Sequence, residues 1–477
     1  MRQRSFAGPI LLIGIGAFFL LNNLRPDLPI LSMLSTYWPF VLIGWGLFRL
    51  AEILNWHTQG RPLPRFGISG GEWTLAIVLT VLGTSVLYGG RMNRNWPRGF
   101  RMRGLEMLGE PFDYPLSGSK MAKTTTPRVI IESFRGNVRI VGTDSNEVKV
   151  SGSKQIRSFN RSEADRSDKV TPFEMVDQGN VIIIRMNHDR VVDSAQVKVD
   201  FDMKVPRGAT IEGRGRYGDF DVNDIQGGVD INSDNAGVRL ANIGGPVRLD
   251  LRRSDSIRVS NARNSVEVKS GRGNDLEFEN IEGTLTVNGN YTGDMQFRNI
   301  QKTFRFESSR TTFRIEKIPG TVRISSGNIS GSNLTGPIQL TSNSKDVELS
   351  DFTSSLEVSV ERGDLEIRPG RLPMGKIDAT TRSGRVDISL PPAARFELSA
   401  TTDKGEVENE WGDPLKAEEQ GRRAKLTGST GQGPVITAHT NRGNVTIRKA
   451  AAESKAPVPP VVPAPPVAPK PAGETQL

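Results

Sequence analysis

A repeat of 18–19 residues runs through the middle of the chain, and it constrains the fold more than any other feature. From about residue 209, successive units open on an apolar residue, and the spacings are 18, 19, 19, 19 and 18 residues for Val229, Val247, Val266, Leu285, Phe304 and Val322. A fixed short period is typical of a solenoid, in which each unit buries its apolar face against the next unit.

Each unit contains two apolar-polar alternations with a period of two, which predict two β-strands. In one unit the second alternation is Val238/Leu240, and in the next it is Ile257/Val259. Stacked units would pair each strand in parallel with its counterpart, about 4.8 Å away, through right-handed connections. The pattern therefore predicts an all-β fold, a right-handed parallel β-solenoid (β-helix) of about ten turns over residues 209–449.

Four asparagines recur at the same turn of the repeat, 19 residues apart: Asn242, Asn261, Asn280 and Asn299. Asparagine tolerates the left-handed conformation that tight turns need. In register, the amides can bond to one another along the solenoid axis. We interpret these residues as a structural turn ladder, with a polar ligand-binding row as the alternative.

The segments around the repeat have different compositions. Residues 127–208 contain irregularly spaced strand patterns and are expected to form a β cap, which protects a terminal solenoid turn. Residues 412–433 resemble a polar insertion, and residues 435–449 are expected to form the last turn. Residues 450–477 hold 8 of the 29 prolines and predict a disordered tail in polyproline II conformation.

The first ninety residues predict a membrane region of three helices. Apolar runs cover about residues 6–21, 38–54 and 73–88, and flanking residues can extend such runs to the ~20 residues that span a bilayer. Trp38, Trp73, Arg91 and Arg94 are predicted to anchor the helices at the lipid interface. Residues 91–126 follow as a basic juxtamembrane linker.

The net charge of +9 is concentrated in this region. Residues 1–104 carry a net charge of +8, which leaves +1 for the rest of the chain. The basic residues therefore indicate contact with a lipid bilayer, and they argue against nucleic acid as a partner of the solenoid. The sequence leaves the oligomeric state open.

The chain is expected to be a multi-pass protein of the cell (inner) membrane. The number of flanking arginines differs by one between the two sides, with the excess on the solenoid side, and this difference points to a cytoplasmic solenoid. The Asn, Ser, Thr and Gly content of the solenoid instead favours an extracytoplasmic location. We expect the extracytoplasmic placement, and the cytoplasmic one stays open.

Two stretches carry a family resemblance. The run GPILLIGIGAFFLLNNL followed by TYWPFVLIGWGLFRL resembles the LiaI/LiaF-like transmembrane region of bacterial envelope proteins. The run VKVDFDMKVPRGATIEGRGRYGDFDVNDIQGGVDI, with its Gly-Asp and Gly-Asn turns at Gly218, Gly363 and Gly443, is similar to the bacterial adhesin-like β-solenoid domain, a domain of unknown function. The resemblance implies a β-solenoid, and the LiaF-like region implies a role in envelope stress.

Motifs for chemistry are few. The chain has no Cys and only His57, His188 and His439, so no metal or thiol site is expected. The G-x-G-x-x-G match at Gly213–Gly218 lacks a following helix, and the Ser-x-x-Lys matches at Ser117 and Ser151 lie in a linker and at a strand end. We therefore predict no cofactor.

Carboxylates are the residues that a β-helical glycan-cleaving enzyme would need. They lie on the predicted strands among basic neighbours, as on a solvated face: Asp250, Glu267, Asp275, Glu277, Glu307, Glu348 and Glu366. We therefore predict a non-enzymatic, membrane-anchored interaction module of adhesin-like type in the bacterial cell envelope, with envelope proteins or glycans as partners. A LiaF-type sensing or regulatory protein is the main alternative, and a carbohydrate-active enzyme is the other.

Overall fold

The computed structural model describes residues 109–187 and 197–450, together with Leu47. Apart from Leu47, the predicted membrane spans lie outside the described residues, as do the anchors Trp38, Trp73, Arg91 and Arg94 and the tail from residue 451 onward. Among the residues described, no helix is long and apolar enough to span a bilayer.

The described chain is almost entirely β-structure, with one helix, α1 (Arg161–Val170). The strands before the regular repeat are β1(Glu110–Met121), β2(Arg128–Arg135), β3(Val138–Thr143), β4(Glu147–Ser158), β5(Glu174–Gln178), β6(Val181–Arg185) and β7(Val197–Pro206). The repeat begins with β8(Thr210–Tyr217), β9(Phe220–Ile225), β10(Val229–Asn235), β11(Val238–Ile243), β12(Val247–Ala262), β13(Val266–Ile281), β14(Leu285–Tyr291), β15(Met295–Ile300), β16(Phe304–Glu307) and β17(Thr311–Ile324).

The second half of the repeat continues to the end of the described residues. Its strands are β18(Asn328–Ser344), β19(Asp346–Thr353), β20(Leu356–Arg362), β21(Leu365–Arg368), β22(Ile377–Ser383), β23(Val386–Leu390), β24(Glu397–Thr402), β25(Val407–Glu410), β26(Lys416–Gln420), β27(Arg423–Ser429), β28(Val435–Thr440) and β29(Val445–Lys449).

The strands form two walls that enclose one apolar core. The first wall runs β5, β6, β2, β8, β10, β12, β13, β14, β16, β17, β18, β20, β22, β28, β24, β27 and β26. The second wall runs β1, β4, β7, β3, β9, β11, β12, β13, β15, β17, β18, β19, β21, β23, β29 and β25. The long strands β12, β13, β17 and β18 belong to both walls.

Parallel stacking in register is confirmed for the first part of the repeat. Val229 pairs with Val247, and Val247 pairs with Val266. The apolar residues of each strand alternate inward and are buried, because a period of two places every second side chain on the same face. The solenoid-type, all-β fold class is therefore correct.

The prediction of parallel stacking throughout is wrong at β17, and β27 also pairs with β24 in antiparallel register. β17 runs antiparallel to β15, β16 and β18, so Val322 pairs with Phe297 in an antiparallel register instead of following Phe304 by one parallel turn. Short turns at residues 308–310 and 325–327 reverse the chain twice. Strand β17 crosses both walls in the reverse direction and has about the length of one turn. The apolar residues therefore keep their spacing, and the spacing does not reveal the reversal.

Aromatic side chains fill the core where the reversed strand lies. The rings of Phe278 and Phe297 stack with centroids 5.7 Å apart, and Phe297 lies 4.6 Å from Phe304. Phe304 contacts Phe313 of the reversed strand edge to face at 5.7 Å. Large rings bury much apolar area per residue, so this cluster joins the two parallel stacks across the antiparallel strand.

Both ends of the solenoid differ from the prediction. Residues 435–449 do not form the last turn, because β28 lies between β22 and β24, and β29 lies between β23 and β25. The polar segment 412–433 contributes a hairpin, β26–β27, that pairs with β24 at the end of the first wall. At the other end, residues 110–121 form strand β1 and not linker, and the cap contains helix α1.

Candidate interaction surface

The predicted asparagine ladder occupies the corner at which the second wall leads back to the first. Asn242, Asn261, Asn280 and Asn299 have φ values of 59°, 56°, 57° and 50°. Asn261 donates from Nδ2 to Oδ1 of Asn242 at 3.0 Å, Asn280 to Asn261 at 3.0 Å, and Asn299 to Asn280 at 2.8 Å. Each asparagine thus supplies both the left-handed turn and one step of a hydrogen-bonded chain.

The chain of amides ends on a carboxylate that the sequence interpretation did not include. Asn242 donates from Nδ2 to Oδ1 of Asp224 at 2.8 Å, and Asp224 shares the left-handed conformation with a φ of 60°. An ionised carboxylate only accepts hydrogen bonds. Asp224 therefore fixes the direction of every amide in the row. Asp224 lies 18 residues before Asn242, which is close to the period of the repeat. This spacing could have identified Asp224 as a member of the ladder.

This arrangement points to a structural role for the corner. Every Nδ2 atom of the ladder donates one of its two N–H groups to the preceding residue, so the amides are held in place by one another. Asn333 and Asp351 adopt the same conformation beyond the reversed strand, with φ values of 52° each. The corner therefore recurs on both sides of the reversal as a turn-forming device.

A second ladder lies at the opposite turn, between the first and second walls. Asp200 Oδ1 accepts from the amide of Asn137 at 2.8 Å, Asn137 Oδ1 accepts from Asp219 at 3.1 Å, and Asp219 Oδ1 accepts from Gly237 at 2.8 Å. The glycine before Asp219, Gly218, has a φ of 137°, and a Cβ atom there would lie 1.9 Å from the carbonyl oxygen of Gly136. The Gly-Asp pattern therefore serves close stacking of successive turns.

Charged side chains of opposite sign alternate along the outer side of the first wall. Glu212 lies between Arg128 and Arg214 and pairs with both. Further along, Glu267 pairs with Arg248 at 3.5 Å and with Lys269 at 2.9 Å. Cross-strand pairs of opposite charge stabilise a sheet modestly, and they leave this wall nearly neutral.

Two neighbouring carboxylates on this wall have pKa values shifted in opposite directions. Burial raises the pKa of Glu212, but hydrogen bonds from Arg128 and Arg214 outweigh burial and hold its pKa below the ordinary value. Burial raises the pKa of Asp230, the residue opposite Glu212 on the next strand. Hydrogen bonds to the charged carboxylate therefore lower the pKa of Glu212, whereas loss of solvent raises the pKa of Asp230 on the neighbouring strand.

The second wall carries an acidic row near its far end. Glu348, Glu366 and Asp387 align on successive strands. Arg448 lies 2.6 Å from Asp387 and 3.6 Å from Glu366. Burial raises the pKa of Asp387 despite the charge of Arg448. Within the described ranges, no group of three or more His, Asp or Glu residues has a geometry that could hold a metal ion.

The carboxylates weighed for glycan cleavage are mostly held by partners. Glu277 pairs with Arg258 at 3.3 Å, and Glu307 pairs with Arg305 at 3.8 Å. Asp275 accepts the amide of Asp294 at 3.1 Å. The other members lie on the outer rows: Asp250, Glu267, Glu348 and Glu366. A general acid needs a raised pKa, whereas the hydrogen bond from Lys269 and the charges of Lys269 and Arg248 lower the pKa of Glu267.

The remaining motifs have structural positions. Gly213 and Gly215 lie within strand β8, so the glycine-rich match forms no phosphate loop. Lys154, in the second Ser-x-x-Lys match, is buried and donates from Nζ to the carbonyl of Thr171 at 2.8 Å at the end of helix α1, where a cation is favourable. His439 Nδ1 lies 2.9 Å from Thr401 Oγ1. His57 and His188 lie outside the described residues.

Two domain families match the chain. The family described as Toastrack DUF4097 matches residues 127–448, and the family described as LiaF transmembrane domain matches residues 7–94. These matches confirm both resemblances found in the sequence. No curated protein matches the chain.

Three solved structures are similar, each at 9% identity over 71% of this chain. A candidate cell adhesion protein from Clostridium sporogenes is covered over 100% of its length with a TM-score of 0.17. Candidate adhesins from Bacteroides fragilis and Parabacteroides merdae are covered over 97% and 96%, with TM-scores of 0.18 and 0.17. At these TM-scores the likeness carries no functional argument. The first family covers more than half of the sequence, so the chain belongs to the Toastrack DUF4097 family, and a LiaF transmembrane domain precedes the Toastrack domain.

Proposed function

We propose that this membrane protein is a non-enzymatic interaction module that presents its β-solenoid as a rigid, polar binding surface in the bacterial cell envelope. One observation carries the proposal: the outer sides of both walls form continuous polar rows held by cross-strand ion pairs, such as Arg258–Glu277 at 3.3 Å and Arg298–Glu279 at 3.1 Å. A stack of paired strands keeps such rows in fixed register, which suits the binding of an extended partner.

The absence of catalysis is part of the proposal. Supporting it, Glu267, Glu277 and Glu366 each lie in an ion pair with a basic neighbour. Glycoside hydrolysis needs one carboxylic acid with a raised pKa and a second carboxylate. Burial raises the pKa of Asp387 beside Glu366, but Arg448 pairs with both carboxylates. An assay of soluble product release from isolated envelope glycan by the full-length protein tests this point. Release above that of a heat-inactivated sample would revive the enzyme hypothesis.

We also propose the number of membrane helices, the membrane topology and the side on which the solenoid lies. We infer three membrane helices over residues 6–21, 38–54 and 73–88, a multi-pass topology in the inner membrane, and an extracytoplasmic solenoid of about ten right-handed turns. The match of residues 7–94 to the LiaF transmembrane domain supports the membrane region. The polar, uncharged residues on the far half of the first wall, such as Thr341, Ser359 and Thr380, suit an extracytoplasmic surface.

A regulatory function of the LiaF type is the second candidate, and the match over residues 7–94 favours it. In that case the membrane region would contact a signalling partner while the solenoid detects a change in the envelope. The adhesin-like function instead needs only an anchor.

An anchor exchange separates the two functions. One chain keeps its natural sequence, and in the other an unrelated three-helix membrane segment replaces residues 1–90. Both are cross-linked in cells, and the attached material is identified by mass spectrometry. The interaction module predicts the same solenoid-bound material in both. Partners that vanish with the natural anchor would support regulation instead.

A further inference from the structure

A row of three exposed residues and one half-buried asparagine runs along the glycine-turn edge of the first wall. Tyr217 pairs in register with Asn235, Asn235 with Arg253, and Arg253 with Arg272. Strand spacing puts successive members about 4.8 Å apart along the axis. Tyr217 is 51% exposed, and Arg253 and Arg272 are also exposed. We call Tyr217, Asn235, Arg253 and Arg272 the edge row.

The two arginines of the edge row are placed unfavourably for an isolated sheet. Like charges directly opposite each other on neighbouring strands destabilise a pair. Arg252, also exposed, adds a third positive charge next to Arg253. Among the described residues, no carboxylate lies within ion-pair distance of Arg252, Arg253 or Arg272. Other arginines on the outer walls, for example Arg248 and Arg258, have such a partner.

The nearest acidic residues do not neutralise this patch. Asp234 pairs with Arg216 at 3.7 Å. Asp275 accepts the backbone amide of Asp294 at 3.1 Å. Asp255, exposed two residues after Arg253, offsets one of the three positive charges of Arg252, Arg253 and Arg272. The patch therefore keeps an excess of positive charge on a domain that is otherwise nearly neutral.

We propose that the edge row binds an anionic glycan polymer of the envelope, with the polymer running parallel to the solenoid axis. Arginine forks bind carboxylate or phosphate groups in a bidentate manner. An exposed tyrosine offers a flat apolar face with a polar tip, on which a sugar ring can pack, and Asn235 supplies both a donor and an acceptor. This inference rests on the proposed function and names the class of its partner.

The geometry favours a glycan over nucleic acid. Duplex recognition uses many phosphate contacts along a basic face, whereas the edge row offers two or three arginines in a line about 14 Å long, from three strand spacings. A single line of mixed aromatic, amide and guanidinium groups matches one extended chain with widely spaced anionic groups.

The test uses the full-length protein in nanodiscs of neutral lipid. Binding is measured by biolayer interferometry to alginate, which carries carboxylates, to poly(glycerol phosphate), to uncharged dextran and to duplex DNA. The expected result is binding to at least one anionic polymer, at least tenfold weaker binding to dextran, and weakening with added salt. Binding to alginate alone identifies carboxylate as the anionic group, and binding to poly(glycerol phosphate) alone identifies phosphate.

Variants assign the binding to the row. Arg253→Gln with Arg272→Gln should weaken binding to the anionic polymer at least tenfold, and Tyr217→Ala should weaken it severalfold. Replacing both arginines by Lys should retain part of the affinity, because the charge stays. Arg263→Gln with Arg371→Gln, two exposed arginines in connections between strands, serves as the matched control and should bind like the natural protein. Equal melting temperatures exclude a folding defect.

Several outcomes would overturn the inference: no binding of the natural protein to either anionic polymer, equal binding by the edge-row variant, or tighter binding to duplex DNA. Sedimentation with isolated cell envelopes distinguishes the two proposals. If the edge-row variant still sediments with envelopes, the partner class is wrong while the interaction module stands. If the natural protein does not sediment, the proposed function itself fails.

Discussion

Asn261 donates its side-chain amide to Oδ1 of Asn242 across 3.0 Å, although the two residues lie 19 positions apart in the chain. The same contact repeats from Asn299 down to Asp224, so the ladder joins successive turns at one corner. Local turn geometry and long-range stacking are therefore satisfied by the same side chains.

Replacing Asn261 by Ala should destabilise the solenoid by about 2–3 kcal/mol. The variant loses two net hydrogen bonds of about 1 kcal/mol each. It also puts alanine at a φ of 56°, in the left-handed region that asparagine tolerates better than alanine. Asn261→Gly removes the same bonds without the conformational cost, so its loss should be smaller. Denaturant unfolding of the full-length protein in detergent measures both. Equal losses for the two variants would contradict the conformational part of the account.

The aromatic cluster at the reversed strand should dominate local stability. Phe297→Ala should cost about 3–5 kcal/mol, because it leaves a cavity among Phe278, Phe304 and Phe306. The neighbouring variant Arg298→Ala removes only an exposed ion pair to Glu279 and should cost less than about 1 kcal/mol. Thermal unfolding compares the two. A small effect of Phe297→Ala would mean that the reversed strand is not packed as described.

A glycine that stacks on the previous turn should not tolerate a side chain. Gly363 has a φ of 147°, and a Cβ atom there would lie 2.2 Å from the carbonyl oxygen of Lys345. Gly421 also has a positive φ, 67°, but nothing lies within 4 Å of its Cβ position. Gly363→Ala should therefore lower the melting temperature far more than Gly421→Ala. Similar effects would show that strain alone, without stacking, decides the outcome.

Glu212 and Asp230 should give opposite contributions to the pH dependence of stability. The folded pKa of Glu212 lies below its ordinary value of 4.5, so its contribution is present above about pH 4.5 and is lost as the pH falls through the folded pKa. Glu212→Gln should therefore destabilise the protein at pH 7 and much less at pH 3.

Asp230 provides the matched contrast. Its folded pKa is raised above 3.8 by burial, so its ionisation costs stability as the pH rises through that folded pKa. Asp230→Asn should be neutral or stabilising at pH 7. Denaturant midpoints from pH 3 to pH 7 compare the two variants, and profiles of the same sign would show that the opposed pKa shifts are wrong.

The amino-acid sequence predicts the fold of the solenoid more completely than it predicts the features of its surface. The period of the apolar residues from Val229 to Phe304 predicts the parallel register directly, because every turn repeats the same inward positions. The Asn242–Asn299 row follows from the same period. Asp224 belongs to this ladder too, but a search for recurring asparagines does not find it, because it is an aspartate.

Other features depend on contacts between distant segments. The reversed strand β17 keeps the apolar spacing, and the insertion of β28 between β22 and β24 pairs residues that are far apart in the chain. Helix α1 had a local signal, because Asn160 caps the amide of Glu163 at 2.9 Å, but its surface is largely polar. The edge row appears only once Asn235, Arg253 and Arg272 are aligned by register.

The most direct test of the proposed binding surface is a measurement of which side of the membrane the solenoid lies on. The chain contains no Cys, so Ser359→Cys on the exposed side of β20 provides a unique label site, and the adjacent Val358→Cys, with a buried side chain, provides the control. Intact spheroplasts are treated with a membrane-impermeant maleimide before and after lysis. With an extracytoplasmic solenoid, the Ser359→Cys protein is labelled before lysis, and the Val358→Cys protein stays unlabelled in both samples until it is unfolded. Labelling of the Ser359→Cys protein only after lysis would contradict an extracytoplasmic binding surface.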